Sequence, residues 1–249
     1  MWFLVAGASR GIGLATARIL LQEGRSVVAS ARDVGTLEKE FSDIEEEILK
    51  IVPFDFTQIE RLQEYAAEVT RLTGGISGMV YAAGMQKTLP LSLSKPALTD
   101  ELFRVNTFAA FEMARLFSKK GAYAEDATGE TSFVFISSLA AREGALGKAL
   151  YGASKGALEG FVPAAAAELV RKKIRLNAVS LGVVETDMSK EFLSKMSGEQ
   201  KNALLESYPL GLGRPEDAAN FIVYLLSEKA RWITGQIFVL DGGHSVRGG

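Results

Sequence analysis

Five apolar residues, Trp2-Phe3-Leu4-Val5-Ala6, run straight into Gly7-Ala8-Ser9-Arg10-Gly11-Ile12-Gly13, and helical spacing then holds over 12–21, with Ile12, Ala15, Ile19 and Leu20 on one side. Strand, glycine turn and helix in that order leave few folds open. The turn's backbone N–H groups and the helix N-terminus can together face a pyrophosphate, and glycines let the backbone come close to it. The spacing is Gly-x-x-x-Gly-x-Gly with no Gly-Lys-Ser/Thr after it, which argues against a nucleoside triphosphate loop. A tight strand-to-helix turn without a ligand is the plain alternative.

The same rhythm continues down the chain. Apolar runs at 27–29, 48–54, 78–82, 133–136, 174–179 and 237–240 alternate with helix-like stretches at 59–72, 98–117, 153–171 and 215–226. The runs are apolar throughout rather than alternating, as strands buried on both faces are. They predict a single-domain, Rossmann-type doubly wound fold: a seven-stranded parallel sheet flanked by helices. Over 187–209 the rhythm breaks, with Met188, Phe192, Leu193 and Met196 at helical spacing among charges, and this segment is expected to form a substrate lid.

With 28 Lys and Arg against 30 Asp and Glu, the net charge of −2 gathers neither nucleic acid nor an acidic membrane surface. There is no Cys and a single His, His244, so structural zinc, redox thiols and His-centred triads lack their atoms, and no metal is expected. His244 lies in a glycine-rich tail and reads as a surface or subunit-contact residue. No basic leader precedes the first strand and no apolar run reaches about 18 residues, so the expectation is a soluble, cytoplasmic protein.

At the end of the second strand, Arg32 and Asp33 give opposing signals: an acid there holds the ribose 2′-hydroxyl of NAD, an arginine the 2′-phosphate of NADP. Asp33 stands 20 residues beyond Gly13, near the offset for the NAD acid. Arg10 and Arg32 could converge on one phosphate, however, and NADP(H) is favoured over NAD(H). Asp55 either accepts from the adenine amino group or caps a helix beginning at Thr57.

Tyr151 and Lys155 stand four apart on one face of a predicted helix, and Ser138, 13 residues before Tyr151, closes an apolar strand. That strand end is the edge where doubly wound sheets hold ligands. An ammonium beside a phenol stabilises phenolate, so Tyr151 is expected to exchange a proton at neutral pH while Ser138 holds a substrate oxygen.

Through the glycine turn, Ala82-Ala83-Gly84, Asn106, Ser138, Tyr151, Lys155 and Val183-Val184-Glu185-Thr186, the chain resembles the short-chain dehydrogenase/reductase family over residues 3–243. The resemblance implies hydride transfer between a nicotinamide and a carbonyl or alcohol carbon. Tyr151 would be the general acid/base, Ser138 would orient the substrate, Lys155 would bind the nicotinamide ribose and lower the Tyr151 pKa, and Asn106 would continue a proton relay. The implied cofactor contacts are Gly7, Ser9, Arg10, Gly11, Ile12, Gly13, Arg32, Asp55, Ala83, Gly84, Tyr151, Lys155, Gly182, Val184 and Thr186. Thr186 reads both as the carboxamide ligand, by the resemblance, and as a helix cap. Ala6, Tyr81-Ala82 and Leu181 depart from the family pattern, and the expected consequence is a looser dinucleotide floor.

Within the family the chain is most similar to 3-oxoacyl-acyl-carrier-protein reductases, in 183–188, Leu212-Gly213-Arg214-Pro215-Glu216-Asp217 and Ile233-Thr234-Gly235-Gln236. A 3-oxoacyl thioester is therefore one substrate; a ketone, a steroid-like or a sugar-derived carbonyl are others. An acyl carrier protein is a candidate partner, with Arg171, Lys172, Lys173 and Arg175 as its basic landing surface and Glu125, Asp126 and Glu130 opposing it. A nicotinamide-binding protein without turnover is the rival class. The resemblance further implies a homotetramer or homodimer built from the helices of Asn106 and Tyr151 and the last strand.

Overall fold

In the computed structural model, which describes residues 1–124 and 131–246, seven parallel strands form one sheet in the order β3-β2-β1-β4-β5-β6-β7. They are β1 (Trp2–Ala6), β2 (Ser26–Ser30), β3 (Leu49–Ile51), β4 (Gly78–Tyr81), β5 (Thr131–Ser138), β6 (Ile174–Leu181) and β7 (Ile237–Leu240). The order reverses between β1 and β4, which makes the crevice beyond their C-terminal ends the switch point of the sheet. β5 and β6 pair over eight residues, and β6 is buried along its whole length.

Alternate strand residues feed two separate cores. Phe3 and Val5 pack beneath α1 (Gly11–Gln22), α2 (Val34–Glu40) and α9 (Pro215–Leu226). Leu4 and Ala6 face the other way, toward α3 (Leu62–Thr73), α5 (Ala109–Phe117) and α6 (Ala149–Leu169). Every central strand must therefore be apolar on both faces, the feature that betrays the parallel sheet in the sequence.

Several expected boundaries shift. β3 is three residues rather than 48–54, although Val52 N and Phe54 N still donate to Ala29 O and Ala31 O, so the chain runs on beside the end of β2 with Pro53 facing away from it. The buried stripe of α1 is Gly13, Thr16, Ala17, Leu20 and Leu21, so Ile12, Ala15 and Ile19 sit on its half-buried edge rather than at its centre. The stretch 98–117 begins earlier, with α4 (Pro96–Phe103), and is interrupted by a π turn, Arg104–Phe108, before α5. The segment 187–209 contains α7 (Asp187–Ser194) and α8 (Gly198–Glu206), each opened by a capping box, at Thr186 and Ser197. Among the described residues no helix is long and apolar enough to cross a membrane.

Candidate active site

The glycine turn sits at the switch point, and its glycines are required for three different reasons. A Cβ on Gly7 (φ +90°) would lie 2.6 Å from the Ala83 nitrogen, and one on Gly13 would lie 2.1 Å from the Gly7 carbonyl. A Cβ on Gly11 (φ +55°) would stand 3.1 Å from the Thr186 methyl. Gly7 and Gly13 thus pack strand, helix and the β4 loop together, and the turn stays open under Thr186. Ala82 N donates to Ala6 O at 2.8 Å, so backbone bonding closes the floor where Ala6 and Ala82 lack polar side chains. Arg10, the N-cap of α1, offers no side-chain cap, which leaves the first helical N–H groups to a ligand; Ser9 and Ile12 flank them half-buried. This donor set suits a pyrophosphate.

Beyond β2, both oxygens of Asp33 are committed: Thr36 N donates to Oδ1 at 3.3 Å and Thr36 Oγ1 to Oδ2 at 2.8 Å. Asp33 caps α2, and these bonds hold its carboxyl below the usual range. Arg32 is exposed, with no hydrogen bond or ion pair among the described residues. Arg10 is exposed too, and its charge reaches Glu191 of α7. Asp55 Oδ1 accepts from Thr57 N at 3.0 Å and Thr57 Oγ1 at 2.9 Å; it closes a turn rather than capping a helix, since the next helical turn is Ile59–Arg61 behind Gln58.

The groups expected to carry chemistry meet between β5, α6 and the π turn. Tyr151 and Lys155 are buried, 8% and 5% exposed. Ser138 stands close enough to Tyr151 to pull its pKa down, and Lys155 Nζ donates to Ile136 O at 2.8 Å. Gly84 opposes them; its missing Cβ would stand 3.5 Å from Lys155 Nζ and 3.2 Å from Asn106 Oδ1. Ala83, half-buried, precedes it.

Asn106 occupies the π turn, fully buried. Its Oδ1 accepts from Met85 N at 2.9 Å, and its Nδ2 donates to Met85 O and Ser154 Oγ, each at 3.0 Å. Thr107 Oγ1 adds a bond to Ser154 O at 2.8 Å, and the Tyr81 hydroxyl donates to Val105 O at 2.6 Å. Tyr81, where the family pattern differs, thus ties β4 to the bulged helix. The side chain of Asn106 is a clamp between the β4 loop and α6.

The protonation states differ from expectation. Burial pushes the Tyr151 phenol above its ordinary value, with Ser138 pulling it part of the way back. Burial also lowers the Lys155 ammonium to about 8. Desolvation outweighs the expected stabilisation of phenolate by the neighbouring ammonium.

The opposite wall follows β6. A Cβ on Gly182 would meet Tyr208 at 2.9 Å and Asp241 at 3.0 Å, so this glycine is needed for packing behind the cleft. Gly213 N donates to Val183 O, and Glu185 N to Gly213 O. Val184's own N–H and C=O therefore point to the other side. Thr186 caps α7 through Ser189. From α7, Phe192 lies beneath Lys148 Nζ, 3.9 Å from the ring centroid, while burial lowers the Lys148 ammonium. Lys148 immediately precedes α6, so the contact joins the segment 187–209 to the wall that bears Tyr151.

Two sequence readings need correction. His244 is half-buried and tied into the chain rather than free at the surface: its ring stacks on Tyr208 at 4.6 Å, Nδ1 lies 2.9 Å from Ser207 Oγ, and Nε2 lies 3.3 Å from Glu143 Oε2. Arg175 does not belong to a basic surface, being 5% exposed and donating to Ser227 O and Ile233 O. Arg171, Lys172 and Lys173 are exposed at the far end of α6, roughly 30 Å from Tyr151 at 1.5 Å per residue, with Lys172 bonded to Ser118 O. Glu125, Asp126 and Glu130 lie outside the described residues. Sequence reasoning missed Glu159 and Arg142, which pair beside this site; the available signal was an acid at the next i+4 step after Tyr151 and Lys155, on a face that has to be buried.

A family model described as enoyl-(acyl carrier protein) reductase matches residues 7–245. The chain is 30% identical over 243 residues to the 3-oxoacyl-[acyl-carrier-protein] reductase of Thermotoga maritima, covering 96% of each. It is 28% identical to a crystal structure of a short-chain dehydrogenase/reductase, glucose/ribitol dehydrogenase, from Brucella melitensis, with a TM-score of 0.89 over 98% of this chain and 96% of that one. A solved structure of ElxO with NADP bound is 25% identical, with a TM-score of 0.87 over 99% of both chains.

Proposed function

Since the chain belongs to the short-chain dehydrogenase/reductase family of NAD(P)-dependent oxidoreductases, we propose that it reduces a carbonyl to an alcohol using NADPH. The observation that carries this reading is the convergence of Ser138, Tyr151 and Lys155 at the C-terminal edge of β5, beside the glycine turn. The bound nicotinamide supplies the hydride. Gly11, Ser9, Ile12 and the start of α1 hold the pyrophosphate, Val184 and Thr186 hold the carboxamide, and Lys155 holds the nicotinamide ribose.

Ser138 holds the substrate oxygen by its hydroxyl, and Tyr151 gives that oxygen a proton as the carbon is reduced. A phenol kept protonated by burial is available as the proton donor that carbonyl reduction needs. Asn106 keeps the Met85 segment against α6 and continues the proton path. NADPH is preferred because Arg32 is free and Asp33 is spent on Thr36. The segment 187–209 is the lid, held to the Tyr151 wall by Lys148 and Phe192.

The substrate is a small carbonyl compound, with a 3-oxoacyl thioester first in line by likeness to the Thermotoga reductase. Arg171 and Lys173 lie roughly 30 Å from Tyr151, so an acyl carrier protein docked on them would not sit at this chain's own catalytic groups. The test follows NADPH oxidation with an acetoacetyl thioester, alongside NADH and the Tyr151→Phe variant. Turnover with NADPH should fall at least about a hundredfold in the variant while NADPH affinity holds. Equal turnover in Tyr151→Phe refutes the reading.

A further inference from the structure

Glu159 follows Lys155 by one more i+4 step, on the buried face of α6 that carries Tyr151, and is itself 8% exposed. A carboxylate in that position is costly unless paired. Among the described residues it has two partners, both from outside the helix. Ser137 Oγ donates to Oε1 at 2.9 Å, and Arg142 Nε donates to Oε2 at 2.6 Å.

Ser137 immediately precedes Ser138, and Arg142 ends the helical turn Leu139–Ala141 that follows it. Three successive steps of α6 thus meet the end of β5: Tyr151 with Ser138, Lys155 with Ile136, Glu159 with Ser137. Pro163 has no N–H for the Glu159 carbonyl, so this turn of α6 has one internal bond fewer and relies more on its side-chain contacts.

We propose that Arg142 and Glu159 are positioning residues: their pairing braces the segment 137–148, which bears Ser138 and ends beside Tyr151. The inference rests on the roles given above to Ser138 and Tyr151. Burial makes the pair asymmetric, because the Arg142 side chain is 45% exposed and that of Glu159 only 9%. Removing Arg142 strands a buried carboxylate on one hydroxyl, whereas removing the charge of Glu159 leaves a guanidinium that water can solvate. Loss of the exposed partner is therefore the more damaging change, and neutralising Glu159 as well relieves it.

The experiment compares Arg142→Met, Glu159→Gln and the double variant in the full chain. Hydrogen exchange is followed over 137–148, and NADPH oxidation is followed with diacetyl and with an acetoacetyl thioester. In Arg142→Met the segment should exchange faster and kcat should fall about tenfold to a hundredfold, with the KM for NADPH within about twofold of wild type. Glu159→Gln should be milder, and the double variant should follow Glu159→Gln rather than the product of the two losses. If Arg142→Met does not fold, Arg142→Lys serves, keeping the charge without the planar fork. Unchanged exchange in the arginine variant, a worse defect in Glu159→Gln, or multiplying losses in the double variant overturns the proposal. A wild-type chain idle on both carbonyls counts against the reductase reading, and the exchange result then decides the brace by itself.

Discussion

Replacing Asn106 by Ala removes three hydrogen bonds from a fully buried position, two to the Met85 backbone and one to Ser154 Oγ. Each is worth about 1 kcal/mol net, which sets an upper figure of about 3 kcal/mol. Met85 is half-buried, so water can take up part of what its backbone loses, and Ser154 Oγ keeps its bond to Tyr151 O at 2.7 Å. The expected cost is therefore about 2–3 kcal/mol, or roughly 4–12 °C in Tm for a chain of this size. Urea unfolding and thermal melts measure it, with Ser154→Ala and the double variant closing a cycle whose coupling should be about 1 kcal/mol. Turnover should fall in the same variant, because the released Met85 segment adjoins Gly84, which lies against Lys155. A melt within about 1 °C of wild type, or a cycle additive within about 0.3 kcal/mol, refutes the clamp.

Two further outcomes are expected. Arg32→Ala should weaken NADPH by roughly tenfold to a hundredfold, the worth of a charge-assisted phosphate contact, and leave NADH unchanged, while Asp33→Asn leaves NADH binding intact; equal losses for both cofactors in Arg32→Ala would sink the phosphate reading. Lys155 is depressed to about 8 in the folded chain against about 10.4 unfolded, so the penalty for its burial is complete below pH 8 and is relieved as the folded state sheds its proton. Wild type should gain about 2–3 kcal/mol between pH 8 and 10 relative to Lys155→Met. Tyr65, Tyr81 and Tyr151, all held high by burial, begin to count against the fold as pH approaches 10, where unfolded phenols ionise, but they do so in both proteins and cancel in the comparison. Urea titrations at the two pH values read the difference, and parallel curves for the two proteins would exclude a desolvated Lys155.

Much of this protein is written locally. Apolar runs buried on both faces predict the parallel sheet, the Gly7 to Gly13 turn marks the crevice, and the i+4 spacing of Tyr151 and Lys155 places both on one helix face. Such rules act over a turn of helix or a pair of strands, so they reach the elements and the chemistry carried on one of them. They do not reach pairings between distant segments. Asn106 meets Ser154 across 48 positions, Arg142 meets Glu159 across 17, and His244 meets Ser207 across 37. The capture of Asp33 by Thr36, which frees the second strand's end for Arg32, lies within one turn but depends on where α2 begins. Desolvation was equally out of reach: the sequence shows an ammonium four residues from a phenol, but only packing fixes how much water each loses, and that loss sets the direction of both pKa values.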